Sequence, residues 1–266
     1  MTATPSYEIY AVRYARHDRP ASENFLGGDP HDGPMPLDYF VWAIVGGGRT
    51  IVVDTGFGTE QARQRRRDYL RSPGEGLKLI GIDPAAVETV VITHMHYDHG
   101  GNIDLFPKAT FHIQDREMAF CTGRAMGHAT LQHSFACADV IAMVRKIFAG
   151  RVQFHDGAAE IAPGLSLHFI GGHTMGLQSV RVATRRGFVV LASDAVHLYA
   201  HLEQGRVFPV VYNVADMLEG HHTVRRLASS PDHVIPGHDP LVMRRYPPPR
   251  PDLAGVVARL DADPSG

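Results

Sequence analysis

Apolar residues along this chain recur with a period of two in several short runs and with a helical period in others. Tyr7 to Tyr14, Tyr39 to Val45 and Thr50 to Asp54 are rich in Val, Ile, Tyr and Trp and read as strands, the last two joined by a hairpin at Gly46-Gly47-Gly48. Past Gly56 the pattern predicts a helix over Glu60 to Arg71, a second helical stretch ending at Gly81, and the apolar strand Thr89 to Thr93. Further strands are predicted at Thr110 to Gln114, Leu165 to Gly171, Gln178 to Thr184, Phe188 to Ser193 and His233 to Ile235. Helices are predicted near Asp115 to Phe120, Ala136 to Phe148 and Val214 to Ser229. Strands interspersed with helices make this an α/β chain in which helices cover sheets. The Pro-rich run Pro247 to Pro251 sets off a short helical tail at about 251–262, on a single domain spanning 1–266. Ala21 to Pro36, rich in Gly, Pro and Asp, reads as a long irregular segment, either a cover over substrate or a surface excursion.

The chain has 266 residues, 44% of them hydrophobic, enough for a substantial core. Its 26 Lys and Arg against 28 Asp and Glu give a formal charge of −2, which offers no global field for nucleic acid or an anionic membrane. No stretch has the length and apolarity of a membrane span, and Met1 to Arg19 lacks the apolar run of a signal peptide. Cys121 and Cys137 are too few for a disulfide framework and read as free thiols of a cytoplasmic protein. The 17 His residues are an unusual excess and direct attention to metal chemistry.

The densest signal is Thr93-His94-Met95-His96-Tyr97-Asp98-His99-Gly100-Gly101, directly after an apolar strand. Side chains two apart in an extended segment point the same way, so His94 and His96 can grip one ion. Asp98 and His99 then turn back toward a second ion, with Gly100 and Gly101 giving the backbone room. Imidazole and carboxylate together suit Zn, Fe, Mn or Co, and the lack of a Cys donor argues against a purely structural zinc site.

This motif resembles the His-x-His-x-Asp-His signature of the metallo-β-lactamase superfamily, and the resemblance extends over most of the chain. It implies an αββα sandwich of two mixed sheets with helices on the outer faces. Gly171-Gly172-His173-Thr174 resembles the family's third metal segment, with Gly171 where Pro is more usual, so His173 would complete the first site. Ser193-Asp194 resembles the bridging carboxylate, and Pro236-Gly237-His238 the last ligand, serving the second site. Val53-Asp54-Thr55-Gly56 resembles the early acidic motif whose Asp orients a ligand. The implied set is His94, His96, His173, Asp98, His99, Asp194 and His238 around two divalent ions, zinc first among the candidates, that share an activated water.

Within the superfamily the chain looks most like the N-acyl homoserine lactone lactonases, which are quorum-quenching hydrolases. The resemblance implies a small-molecule lactone substrate, attack by a hydroxide bridging the metals, and Asp98 accepting or relaying a proton. His197 stands three residues after Asp194, where those lactonases commonly carry a Tyr. An imidazole there could donate a hydrogen bond or protonate the leaving alkoxide. A phosphoesterase, an organophosphate hydrolase or a thioesterase on the same dinuclear site is the alternative, and a homodimer is compatible with the sequence. Tyr199 and Tyr212 are further phenol candidates, while His128 and His133 are placed near the pocket or on the surface. Phe25, Phe40 and Trp42 are read as an apolar wall or core, and His221, His222 and Arg65-Arg66-Arg67 as solvated.

Overall fold

A computed structural model describes residues 5–265. The first sheet begins with β1 (Glu8–His17), β2 (Leu37–Gly46) and β3 (Arg49–Val53), antiparallel neighbours, with the short β4 (Asp68–Tyr69) beside β1. From β3 it continues through β5 (Thr89–Val91), β6 (Thr110–Gln114) and β7 (Val152–His155), all parallel. The second sheet holds β8 (Ala159–Ala162), β9 (Leu165–Phe169), β10 (Gln178–Thr184), β11 (Gly187–Ser193) and β12 (Val234–Pro236), in the order β12-β11-β10-β9-β8.

Strand β2 shows why the layers stack. Its alternate residues Phe40, Trp42 and Ile44 pack with Leu167, Val180, Val182 and Leu191 between the two sheets. Tyr39, Val41 and Ala43 point the other way, into a core shared with helices. Both faces are covered, so β2 reads as a continuous apolar run rather than a strict alternation. Phe40 and Trp42 are thus core, 2% and 1% exposed.

Helices α1 (Thr59–Arg65), α2 (Pro73–Lys78), α3 (Asp115–Cys121), α4 (Ala129–Gln132) and α5 (Cys137–Phe148) follow strands of the first sheet. Leu77, Met118, Phe120, Val140 and Met143 carry their inner faces into its core. Helices α6 (Tyr199–Gln204) and α7 (Val214–Leu227) cover the second sheet through Leu202 and Val224, and α8 (Leu241–Arg245) comes after β12. The result is helix, sheet, sheet, helix, as the resemblance implied. No helix among the described residues is long and apolar enough to cross a membrane.

Three expectations need correction. The tail expected to be helical at about 251–262 is instead a single 3-10 turn, Pro251–Leu253, followed by β13 (Val257–Arg259), which pairs antiparallel with β1. Its apolar residues are few enough to satisfy either period, and the unpaired edge of β1 decides for the strand. Helix α1 stops at Arg65, well short of Arg71, because Arg66 adopts a left-handed conformation (φ 55°) and the Arg67 N–H closes back onto the Ala62 carbonyl. His221 is buried, whereas His222 is exposed, because Met217, His221 and Val224 share the inward stripe of α7.

Candidate metal centre

The strands β3, β5, β9, β11 and β12 end at one edge of the sandwich, and the loops leaving them carry Asp54, the His94–His99 segment, His173, Asp194 and His238. Two of the three non-glycine residues with positive φ among the described residues stand here, Asp54 at 61° and Ser193 at 49°. Backbone held in this disfavoured region re-aims the side chains around it. The Thr93 hydroxyl joins the two sheets at the point of convergence, lying 2.8 Å from Asp54 Oδ2 and 2.8 Å from Ser193 Oγ.

All seven residues expected to be ligands come together. His94, His96, His173 and Asp194 form one group, and Asp98, His99 and His238 another, with ligand atoms inside each group within 4.8 Å of one another. Asp194 stands between them. Its Oδ2 lies 3.1 Å from His173 Nε2 and 3.8 Å from His94 Nε2, while its Oδ1 lies 3.2 Å from His99 Nε2 and 3.0 Å from His238 Nε2. Asp98 Oδ2 is 3.7 Å from His99 Nε2 and 3.8 Å from His238 Nε2.

The donor chemistry fits cations. His94 Nε2 and His99 Nε2 are buried and aimed into the cluster without a hydrogen-bond partner. The nitrogens His173 Nε2 and His96 Nδ1 face each other at 2.9 Å. Buried polar atoms left unpaired cost about 1–3 kcal/mol each, so convergent lone pairs of this kind call for positive ions. The set of imidazoles and carboxylates is that of a dinuclear metal site.

Outer hydrogen bonds fix the rings. Asp54 Oδ2 lies 2.7 Å from His99 Nδ1, and Asp54 also takes the Thr93 N–H at 2.7 Å. His238 Nδ1 faces the Asp38 carbonyl at 3.0 Å, which turns Nε2 toward Asp194. Burial works against charge on His99, but the carboxylates of Asp194, Asp98 and Asp54 outweigh it and raise its pKa well above the ordinary histidine value. Burial also works against charge on Asp194, yet the surrounding imidazoles, His197 and His238 foremost, hold it ionised. His94 and His96 are driven toward the neutral, ligating form chiefly by burial.

His197 reaches the centre as well, with Nε2 3.0 Å from Asp194 Oδ2 and its ring stacked on Phe208 at 3.8 Å between centroids. The cluster floors a cavity of about 270 Å³ whose walls include Leu37, Phe208 and Val210 as well as Arg19, Arg65 and Arg67. His133 stands on this rim, whereas His128 is exposed elsewhere. Neither other phenol candidate lines the cavity. Tyr199 is buried under Arg245, and Tyr212 is 44% exposed over Phe120. Phe25 packs on His201. The segment 21–36 sends Glu23 to the cavity wall.

Glu117, fully buried at the start of α3, belongs to no motif visible in the sequence. It accepts from Met95 N at 2.8 Å, Thr174 Oγ1 at 2.6 Å and Gly176 N at 3.0 Å, tying together the loops that carry His94 to His99 and His173. Gly171 stands at a φ of 72°, which a Pro ring cannot adopt, so a Pro here would require the loop to take another path.

Residues 35–238 match the family model described as the metallo-beta-lactamase superfamily. An N-acyl homoserine lactonase AttM of Rhizobium johnstonii is 30% identical over 170 residues, which span 62% of this chain and 62% of that protein, so less than two thirds of its length is matched. The AttM of Rhizobium radiobacter is 27% identical over 231 residues, covering 80% of this chain and 85% of its own. A crystal structure of a quorum-quenching N-acyl homoserine lactone lactonase superposes with a TM-score of 0.74 at 19% identity, covering 90% of this chain and 94% of that one.

Proposed function

The chain belongs to the metallo-beta-lactamase superfamily, and on that premise we propose that it is a hydrolase that opens small lactones at a dinuclear metal centre. His94, His96 and His173 would hold one ion, Asp98, His99 and His238 would hold the other, and Asp194 would serve both. One observation carries this reading, the division of the Asp194 carboxylate, with Oδ2 toward the first group and Oδ1 toward the second. Zinc is our choice of ion, because the donors are mostly nitrogen, include carboxylate oxygen and contain no sulfur. The names of the AttM relatives support a lactone as the substrate class.

When bound, a pair of such ions supplies Lewis acidity that brings a water's pKa toward neutrality and polarises a carbonyl. The protein's own groups do the rest. Asp98, at the cavity floor with its side chain 11% exposed, accepts the proton that attack releases. His197 Nε2 faces the same floor and donates a hydrogen bond to the departing alkoxide, its ring held flat by Phe208, and Asp98 passes to that oxygen the proton it received. Asp54 keeps His99 in the tautomer whose Nε2 is free to ligate.

The test is a panel of γ- and δ-lactones offered to zinc-loaded protein, followed by acid release in weakly buffered pH indicator. Ring opening that a chelator abolishes and added zinc restores is the expected result. Failure to open any member of the panel overturns the reading.

A further inference from the structure

The cavity above the metal centre is lined by two unlike sets of side chains. Leu37, Phe208 and Val210 are apolar, Arg65 and Arg67 are cationic, and Arg19 lies 5.2 Å over the Phe208 ring. The left-handed turn at Arg66 places Arg65 and Arg67. By ending α1 at Arg65, it points Arg66 to solvent and brings Arg65 and Arg67 onto the cavity wall.

The guanidinium groups of Arg65 and Arg67 are positioned but not neutralised. Arg65 donates to the carbonyls of His133 and Phe135 and lies 3.9 Å over the Tyr97 ring. Arg67 gives Nε–H to the Tyr97 hydroxyl at 3.1 Å and Nη1 to the Arg65 carbonyl at 2.6 Å, and its Nη2 donates to no described residue. Arg19 pairs with Glu23 at 3.4 Å, whereas neither Arg65 nor Arg67 forms an ion pair among the described residues. Fixed, half-buried cations facing an enclosed space suit a negative group arriving from outside.

Resting on the lactone reading above, we propose that the preferred substrate is a small lactone bearing a carboxylate, which Arg67 seats with help from Arg65 while the ring ester lies over the metal centre. Arg67 has one unspent Nη2 group to offer, which suits a singly charged carboxylate. The cavity volume of about 270 Å³ has room for a compact ring with its carboxylate.

Two measurements test this. The first compares kcat/KM for γ-butyrolactone and for its γ-carboxylate. The carboxylated ring is expected to be opened about 10-fold or more efficiently. Arg67→Gln should lower kcat/KM for the carboxylated ring about 10-fold more than for the neutral ring, mainly through KM, and Arg67→Lys should restore part of the difference. Equal or better opening of the neutral ring, or equal loss on both rings in Arg67→Gln, overturns the proposal. The second measurement needs no turnover. Calorimetric titration of the zinc-loaded protein should show glutarate binding about 10-fold or more tightly than butyrate, with the difference lost in Arg67→Gln. Equal binding of the two acids overturns the proposal. If glutarate is preferred but no lactone is opened, the lactone reading fails and the carboxylate seat stands.

Discussion

The carboxylate of Glu117 takes the backbone N–H of Met95 at 2.8 Å, one residue from each of the two histidines that begin the metal loop. Because the same carboxylate receives Thr174 and Gly176, one buried side chain sets the spacing between two ligand loops that are remote in sequence. Glu117→Ala would strand three donors, at roughly 1–3 kcal/mol each. A loss of at least about 3 kcal/mol in urea unfolding, with weakened metal uptake, is expected. Gly176→Ala should be similarly damaging, since a Cβ there would stand 2.1 Å from the backbone nitrogen of Glu117. Near-normal stability in both variants would show that this clasp is dispensable.

Asp54 touches no ligand-binding atom, yet it receives the Thr93 N–H and the Thr93 hydroxyl and orients His99. Asp54→Asn keeps the shape but puts an amide N–H where an acceptor is needed. Metal affinity should fall about 10- to 100-fold, as for other partners behind metal ligands. Competition with a chromophoric chelator measures this, and unchanged affinity would remove Asp54 from the account.

His197→Phe keeps a ring against Phe208 and deletes the hydrogen-bond donor. Turnover should fall about 100-fold or more while bound metal stays the same, and His197→Tyr should recover a substantial part. If kcat in the Phe variant stays within about 3-fold of the parent, His197 is packing alone.

Acid should weaken the fold through His201. Its ring accepts the Leu198 N–H at Nδ1 and bonds the Asn24 carbonyl from Nε2, so a second proton would set two N–H groups against each other. Burial lowers its pKa to about 4, below the ordinary histidine value near 6.5. The unfolded chain therefore takes up a proton first as the pH falls, and stability contributed by this residue is complete above about 6.5 and lost progressively down to about 4. The loss approaches about 3 kcal/mol at the lower limit, from about 1.4 kcal/mol per pKa unit. His201→Gln should shrink the difference in unfolding free energy between pH 7 and pH 5. An unchanged difference would contradict this assignment.

Much of the centre was legible because its chemistry is local. The segment His94 to His99 carries four donors in six residues, and Asp54, His173, Asp194 and His238 each lie just beyond a strand whose apolar run is plain in the sequence. Glu117 was illegible because an acidic residue in the first turn of a helix looks like ordinary complement to the helix dipole. Only tertiary packing buries it. The run Arg65-Arg66-Arg67 was misread for a related reason, since nothing in three arginines announces a left-handed turn, a conformation more usual for Gly. The strands β7, β8 and β13 escaped notice because runs of three or four residues carry no decisive period and owe their structure to the edge they join.

The claim on which all of this depends is that two ions are held in common by Asp194. Elemental analysis of purified, zinc-equilibrated protein, set beside His238→Ala and Asp194→Ala, tests it most directly. Two tightly held ions per chain are predicted for the parent, about one for His238→Ala, and marked loss from both positions for Asp194→Ala. A parent that binds one ion or none, or an Asp194→Ala variant that retains two, would contradict the account.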